Sequence, residues 1–361
     1  MKKLLIATTA IVGFATVATP AMADSLELDL GGFYRGYGVY ADGDATGDDT
    51  RDFDLRHDAE IHFTGETTLD NGLTVGVHAE TELAVENDTP TDAEDASQDE
   101  IYAYMSGQWG RFNLGQEDGA AYLLQVAAPS ADSNVDGLRT YIQGFSSTPL
   151  DYAQDMGEAA EKITYLTPKF GGFQFGASYA PEVSDDPNVT GNGVAAMNSD
   201  DDDADLENLM EFAGRWDGAY ENIGLSFGGG FGMADNENDA APADDDRQQW
   251  NVGANMQWSA FEFGAAYLED EGFPVTGGAS ADRETWTVGL GWANDAYTAG
   301  VSYFDRSTED DDVEANRWTV GGTYTYGPGM TFRGAVAFGD VEVAGDEDDF
   351  TQVTLGTEIN F

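Results

Sequence analysis

The sequence predicts an all-β fold, a transmembrane antiparallel β-barrel of about 16 strands. Three observations support this prediction. Run after run along the chain alternates apolar and polar residues with a period of two. The connections between these runs are alternately long and acidic, or short. Finally, the runs at 26–40 and 350–361 both alternate, so the first and last strands could pair and leave no open edge. The alternative for the last run is an edge strand of a soluble β-sandwich.

The first 23 residues are typical of a cleaved signal peptide. Lys2 and Lys3 precede an apolar run at 4–17, and small residues at 21–23 form a cleavage site. A membrane anchor is less favoured, because the apolar run is short and contains Thr and Gly. We therefore expect residues 24–361 to form one exported barrel domain.

Composition restricts the classes of function. The 361 residues contain no Cys and carry a formal net charge of -53. The missing Cys excludes disulfide and thiolate chemistry, and the negative charge excludes nucleic acid as a partner. After residue 23 there is no apolar run of about 18 residues, but strands of a membrane barrel leave only a weak hydropathy signal. The Asp-rich, Lys-poor composition also suits a cell in concentrated salt.

The strands follow one another along the whole chain. The first is predicted at 26–40 and the second at 52–69, where Leu55 and Ile61 alternate with Glu60 and His62. An Asn-Gly pair at 71–72 predicts a tight turn into a third strand at 73–86. The other strands are predicted at 101–106, 111–116, 161–168, 172–180, 209–217, 223–232, 249–258, 261–268, 283–293, 297–306, 316–326, 330–343 and 350–361.

The order of long and short connections favours a membrane barrel. With an even number of strands and every second connection short, both termini and all short turns lie at one end, and the long loops lie at the other. Strands of about 9 to 12 residues suit a tilted crossing of a bilayer. Aromatic residues near strand ends, such as Trp250 and Trp258, suit the two membrane interfaces. The longest interruption is at 117–160.

Four short motifs in this order resemble Gram-negative general porins of the alphaproteobacterial type. They are GFYRGY at 32–37, FTGE at 63–66, WGRFNLGQ at 109–116 and the terminal Phe361. The resemblance implies a homotrimer in the lipid of the outer membrane, reached by export through the periplasm. It also implies that the third loop, 117–160, folds into the lumen as a constriction, and that the outer-membrane assembly machinery recognises Phe361.

The resemblance also implies the residues of the channel. Acidic residues of the third loop would face basic residues of the barrel wall across the lumen. The loop acids are Glu117, Asp118, Asp132, Asp136, Asp151, Asp155 and Glu158. The wall residues are Arg35, Arg56, Glu60, Asp99, Glu100, Arg111, Gln116, Lys162 and Arg333, with either Asp99 or Glu100 pointing inward. Because Glu60 and this second acid stand where similar porins often carry Arg, we expect passive diffusion of small hydrophilic solutes with a preference for cations.

Other functions were weighed against this one. The barrel could be a solute-specific porin, a structural or adhesive barrel that binds divalent cations, or a soluble halophilic β-protein. His62 and His78 could form a metal pair, although polar lumen residues are the favoured interpretation. The acidic run at 200–205 lacks the spaced pattern of a Ca²⁺ loop, so loop-bound Ca²⁺ or Mg²⁺ remains secondary to a solvated loop. No serine elbow or zinc motif is found, and we expect neither an enzyme nor a cofactor.

Overall fold

A computed structural model describes residues 27–43, 52–85, 97–144, 150–158, 160–183, 189–190, 194–195, 206–236, 246–275, 279–309, 313–343 and 345–361. The predicted signal peptide at 1–23 and the acidic run at 200–205 lie outside the described residues.

The described chain consists almost wholly of β-strands. They are β1 (Glu27–Asp42), β2 (Phe53–Thr68), β3 (Thr74–Val85), β4 (Ser97–Gly107), β5 (Gly110–Gln116), β6 (Glu161–Leu166), β7 (Phe173–Glu182), β8 (Val189–Thr190), β9 (Val194–Ala195), β10 (Leu206–Tyr220), β11 (Ile223–Asn236), β12 (Arg247–Trp258), β13 (Phe261–Val275), β14 (Ala279–Asn294), β15 (Tyr297–Thr308), β16 (Val313–Gly327), β17 (Met330–Val343) and β18 (Asp346–Asn360). One short helix, α1 (Ala120–Leu123), lies between β5 and β6.

Sixteen of these strands form a closed antiparallel barrel, in which β7 pairs with β10, β1 pairs with β18, and all other neighbours are consecutive. The predicted pairing of the first and last strands is confirmed, with Tyr34 opposite Ile359 and Tyr40 opposite Val353. Two further hydrogen bonds, of 3.0 and 3.1 Å, join the backbones of Gly32 and Phe361. Strand β18 therefore has no free edge.

The two faces of the barrel differ in polarity. On β12, the apolar residues Val252 and Trp258 are 49% and 51% exposed, whereas Asn251 on the other face is 1% exposed. The same alternation runs through the other strands, so the barrel has an apolar face and a polar face. An apolar outward face is the arrangement that lipid requires, because strand side chains there contact hydrocarbon. Among the described residues, no helix is long and apolar enough to cross a membrane.

The short turns form where the sequence predicts them. Gly72 has a φ of +81°, and Asp295 has a φ of +49° in the turn between β14 and β15. Positive φ is favourable for Gly and tolerable for Asp, which explains the choice of residues in these turns.

The strands differ from prediction at their loop ends. In the barrel, strand lengths range from 6 residues in β6 to 16 in β14, so the expected range of 9 to 12 was wrong. Strand β13 continues to Val275 and β14 begins at Ala279, although the apolar alternation covers only 261–268 and 283–293. Glu269 and Glu284 pair across this extension, because backbone hydrogen bonding continues where both faces are polar. The helix α1 and the small β8–β9 sheet were not predicted.

Candidate functional site

The long connection between β5 and β6 packs against the polar face of the barrel. This segment, the β5–β6 connection, comprises residues 117–160, of which 145–149 and 159 are not described. Its helix α1 is buried at Ala120 and Ala121, and the Ala120 amide donates to Ser178 Oγ on β7 at 2.7 Å. Such a long connection needs many contacts to offset its conformational entropy.

Three arginine–aspartate pairs join the connection to the barrel. Each aspartate belongs to the connection, and the arginines come from three adjacent strands. The pairs are Asp132 with Arg333 of β17 at 2.8 Å, Asp136 with Arg317 of β16 at 2.9 Å, and Asp151 with Arg306 of β15 at 3.3 Å. The side chains of Arg317 and Asp136 are only 2% and 3% exposed. A buried pair of this kind is costly to break, because one charge then stays buried without a partner.

Polar contacts extend this attachment to the strands that close the barrel. The Tyr37 hydroxyl of β1 donates to Asp132 at 2.9 Å and accepts from Asn134 Nδ2 at 3.0 Å. Asn134 also donates to Glu358 of β18 at 2.9 Å. Further along the connection, the Gly144 amide donates to the Gln352 side chain at 2.6 Å. The connection therefore reaches the seam between the first and last strands.

The two ends of the connection meet at Lys162. Its ammonium group donates to the backbone oxygens of Glu158 at 2.6 Å and Gly157 at 2.9 Å, and also to that of Glu117. The Glu117 carboxylate accepts from Asn113 Nδ2 at 2.6 Å. Burial raises the pKa of Glu117 to about 7. Lys162 therefore holds the two ends of the connection together and contacts Glu117 directly.

A basic residue of the connection itself neutralises further acids. Arg139 pairs with Asp118, lies 3.1 Å from Asp155 and 3.9 Å from Glu158, and stacks 4.1 Å from the centre of the Tyr122 ring. The Glu158 side chain is 68% exposed. Burial raises the pKa of Asp155 to about 6, although the nearby Arg139 favours its charged form. Sequence reasoning missed Arg139 because it considered only cations on the barrel strands.

Apolar contacts complete the attachment at three places. Leu150 and Tyr152 pack in a buried cluster with Leu268 of β13 and Phe304 of β15. A second cluster joins Met156 to Leu209 of β10, and a third joins Val135 and Ile142 to Tyr37 and Val39 of β1. Leu268, Phe304 and Val39 are apolar side chains on the polar face. The connection covers the polar face at these three residues. Their apolar side chains, at positions where the alternation expects polar ones, could have been recognised in the sequence.

A separate part of the polar face, on β2, β3 and β4, is acidic. We call Glu60 of β2, Glu80 of β3, and Asp99 and Glu100 of β4 the acidic wall. A carboxylate oxygen from each of Glu60, Glu80 and Asp99 lies within 4.8 Å of the others. The register of β3 and β4 shifts between Ala79 and Thr81, where the partner changes from Ile101 to Gln98.

Near this register shift both β4 acids have partners on the polar face, although only one of them was expected to point inward. Asp99 lies with Glu60 and Glu80, and Glu100 accepts a hydrogen bond of 3.3 Å from the Asp118 amide. Both acids therefore reach the polar face, because an extra residue at a bulge breaks the strict alternation.

The remaining predicted wall residues are dispersed. Arg35 pairs with Asp58 at 2.8 Å and Glu358 at 3.4 Å, and lies 4.2 Å from the Tyr141 ring centre. Arg111 lies 4.0 Å from the Tyr104 ring centre and donates to Asn113 at 2.7 Å.

Two other wall predictions concern Arg56 and Gln116. Arg56 is on the same face of β2 as Glu60 and is half-buried. Gln116 pairs with Ile101, which is 40% exposed on the apolar face, so the structure does not place Gln116 with the wall residues. The cations that hold the connection include Arg306 and Arg317, which sequence reasoning did not select.

A sequence model described as Gram-negative porin matches residues 7–344. The chain belongs to the Gram-negative porins. This family and the closed barrel are those of non-enzymatic channels in the outer membrane, so the protein is an outer-membrane porin. A search of curated protein sequences finds no match.

Solved structures agree with this fold at low sequence identity. A refined porin structure is similar with a TM-score of 0.62 and 21% identity, covering 93% of this chain and 100% of the other. An anion-selective porin from Comamonas acidovorans gives 0.63 and 17%, with coverage of 93% and 100%. A loop L8 deletion mutant of OmpT, an outer membrane protein of Vibrio cholerae, gives 0.61 and 15%, with coverage of 94% and 100%. At these identities the similarity demonstrates the fold alone.

Proposed function

We propose that this porin is a water-filled channel for passive diffusion of small hydrophilic solutes, narrowed by the β5–β6 connection and selective for cations. The observation that carries the proposal is the spread of contacts made by that connection. They reach Ser178 on β7, Leu209 on β10, Phe304 on β15 and Tyr37 on β1. A single segment can contact the polar face of strands all around a closed ring only from inside it. This supports a constriction within the lumen.

The distribution of charge supports the cation preference. In the connection, Asp118, Asp132, Asp136, Asp151 and Asp155 all pair with arginines, so their charges are largely compensated. In the acidic wall, the carboxylates of Glu60, Glu80 and Asp99 are instead grouped with one another and with histidine rings. A passage between the two is expected to have a negative potential, which attracts cations and repels anions.

The fold does not decide the sign of selectivity. The similar Comamonas porin is anion-selective, so the charged side chains of each barrel must determine which ions pass. We therefore assign the preference of this porin to Glu60, Glu80 and Asp99, and not to the acids of the connection.

Conductance in planar bilayers tests the proposal. The purified protein, placed in a KCl gradient, should give ohmic channels whose reversal potential favours K⁺ over Cl⁻. Selectivity for Cl⁻ would refute the electrostatic part, and absence of any conductance would favour a structural or adhesive barrel. A saturable current that one solute blocks competitively would indicate a solute-specific porin.

A deletion tests the constriction separately. Removing residues 132–144 takes away Asp132 and Asp136 and should enlarge single-channel conductance without preventing assembly of the barrel. Unchanged conductance in a correctly folded deletion variant would contradict a constriction at this segment.

We also propose a homotrimer that is exported with the signal peptide at 1–23 and folded by the outer-membrane assembly machinery. Resemblance to general porins supports the trimer. The position of Phe361, 62% exposed beside the closing strand pair, suits recognition of the chain end. Light scattering of the protein in detergent would measure the number of chains. Deletion of Phe361 should slow assembly in cells while leaving the other strand pairs unchanged.

A further inference from the structure

Beside the acidic wall lie two histidines, His62 of β2 and His78 of β3, whose positions the channel function does not require. We propose that His62, His78 and Glu80 bind one Zn²⁺ ion on the polar face of the barrel. Water would complete the coordination, since the site has three protein ligands and Zn²⁺ prefers four. The proposal concerns metal binding alone and does not depend on ion conduction.

The register of β2 and β3 brings the three ligands together. His62 stands directly opposite Glu80, and Thr64 stands directly opposite His78. The two histidines therefore occupy diagonal positions on one face, with their ring centres 6.0 Å apart. One ligand atom from each of His62, His78 and Glu80 lies within 4.8 Å of the others. Glu80 Oε1 is 2.8 Å from His78 Nε2 and 3.6 Å from His62 Nδ1.

These distances suit a metal ion after small rotations of the side chains. In a tetrahedral zinc site with metal–ligand distances of about 2.0–2.2 Å, the ligand atoms lie roughly 3.3 Å apart. The two measured distances lie on either side of this value. Because the side chains are anchored on paired strands, the site needs no movement of the backbone.

The other nitrogen of each ring already has the partner that a metal-bound histidine usually has. His62 Nε2 lies 2.9 Å from Glu60 Oε2, and His78 Nδ1 lies 2.7 Å from Thr64 Oγ1. In metal sites the second ring nitrogen is commonly hydrogen-bonded to a carboxylate or another oxygen, which fixes the orientation of the ring. Glu60 and Thr64 would do this here, leaving His62 Nδ1 and His78 Nε2 to face Glu80.

The two histidine rings that face Glu80 are positively charged only when they are protonated. If the His62 Nε2–H donates to Glu60, the neutral ring presents the lone pair of Nδ1 to the Glu80 carboxylate. Two electron-rich atoms then face each other unless a proton or a metal ion lies between them. The nearby carboxylates of Glu60 and Asp99 further favour a cation at this position.

The choice of ligands favours a transition metal over Mg²⁺ or Ca²⁺. Imidazole suits Zn²⁺, whereas Mg²⁺ and Ca²⁺ prefer oxygen ligands. This difference matters in a protein with a net charge of -53, because many carboxylates can attract any divalent ion. An excess of Mg²⁺ should therefore occupy the carboxylates and leave the histidine site available.

Calorimetric titration of the folded protein with Zn²⁺ in a large excess of Mg²⁺ tests the site. We expect one Zn²⁺ per chain for the wild type, and loss of this binding in His62→Ala and in His78→Ala. His57 provides a matched control, because it lies on the apolar face of β2 and stacks on Tyr34. The His57→Ala variant should bind Zn²⁺ as the wild type does. Glu60→Gln should weaken binding by about 10- to 100-fold, as loss of an orienting partner does.

Unchanged Zn²⁺ binding in His62→Ala and His78→Ala, or no wild-type binding under excess Mg²⁺, would overturn the proposal. X-ray absorption of the Zn²⁺-loaded wild type gives an answer that needs no variant. Two nitrogen ligands at about 2.0–2.1 Å would support the site, and a shell of oxygens alone would contradict it.

Discussion

Two parts of the polar face differ in how their charges are paired. Along β15–β17, Arg306, Arg317 and Arg333 hold aspartates of the connection, and the Arg317–Asp136 pair is almost wholly buried. On the acidic wall, the side chains of Glu60 and Glu80 are 13% and 18% exposed and Asp99 is exposed. The first region is a compensated structural attachment. The second is a group of neighbouring carboxylates, of which Asp99 is the most exposed to solvent and ions.

The difference shows that the number of acidic residues in a loop does not determine its electrical effect. The connection is rich in Asp and Glu, but arginines neutralise most of these charges where they meet the barrel. The acidic wall has fewer acids, and its acids lie beside one another. The field in the passage therefore depends on which carboxylates have a cationic partner, and this is a property of the tertiary structure.

Breaking a buried pair should have the largest effect. Arg317→Met leaves the Asp136 charge buried, which typically costs about 3–5 kcal/mol. We expect the connection to detach, with larger and noisier single-channel currents and rapid proteolysis within 117–160. The double variant Arg317→Met with Asp136→Leu removes both charges and should restore most of the attachment. Wild-type currents in the single variant would contradict the structural role of the pair.

Removing an apolar contact from the same region should have a slightly smaller effect. Leu150 is 1% exposed in the cluster with Phe304, and Leu150→Ala should weaken the attachment by about 3 kcal/mol. Hydrogen exchange at the Ile142 amide should then be roughly a hundredfold faster, since about 1.4 kcal/mol corresponds to a factor of ten. Leu123→Ala is the control, because Leu123 is 38% exposed in the same connection. Equal effects of the two substitutions would show that burial does not govern the attachment.

Neutralising the acidic wall should change selectivity without loosening the connection. A carboxylate about 7 Å from a passing ion contributes about 0.6 kcal/mol in water, which corresponds to roughly a threefold preference. Glu60→Gln combined with Asp99→Asn should therefore lower the K⁺ to Cl⁻ permeability ratio several-fold in bilayers free of Zn²⁺. The charge-neutral double variant at Arg317 and Asp136 should leave this ratio unchanged. A larger change in that variant than in the wall variant would place the selectivity in the connection.

Protonation of Asp155, near the partly exposed end of the connection, should have the smallest effect on the stability of the attachment. Burial raises the pKa of Asp155 to about 6, above its ordinary 3.8. The folded form therefore binds this proton more tightly, and the attachment gains stability as the pH falls from about 6 towards 4. Carbon-13 NMR of the Asp155 carboxyl should titrate near pH 6. Arg139→Gln should move the midpoint higher, and a lower midpoint would contradict the contact between the two residues.

The barrel could be predicted from the sequence, because period-two alternation is a local property of each strand. It located the short turns and the pairing of β1 with β18. The loop ends of the strands could not be located, since acidic residues occupy both faces there, as at Glu269 and Glu284. Alternation also could not place Asp99 and Glu100, because a register shift between β3 and β4 changes the face.

The attachment of the connection was only partly predictable. The resemblance identified its acidic residues, but it implied that they face cations across a gap, whereas Asp132 and Asp136 contact Arg333 and Arg317 directly. One available signal was apolar side chains at polar positions of strands, such as Phe304, which is 0% exposed. The partner of each arginine depends on the path of 117–160 across the barrel, which no local pattern specifies.

Thiol accessibility tests the contrast between the two regions most directly. The protein has no cysteine, so a single introduced thiol reports on one position. Asp99→Cys on the acidic wall should react quickly with water-soluble thiosulfonates, and faster with a cationic reagent than with an anionic one of equal size. Val135→Cys, at a position in the connection that is 1% exposed and packs against β1, should react much more slowly. Equal rates at the two positions, or a faster anionic reagent at position 99, would contradict the account.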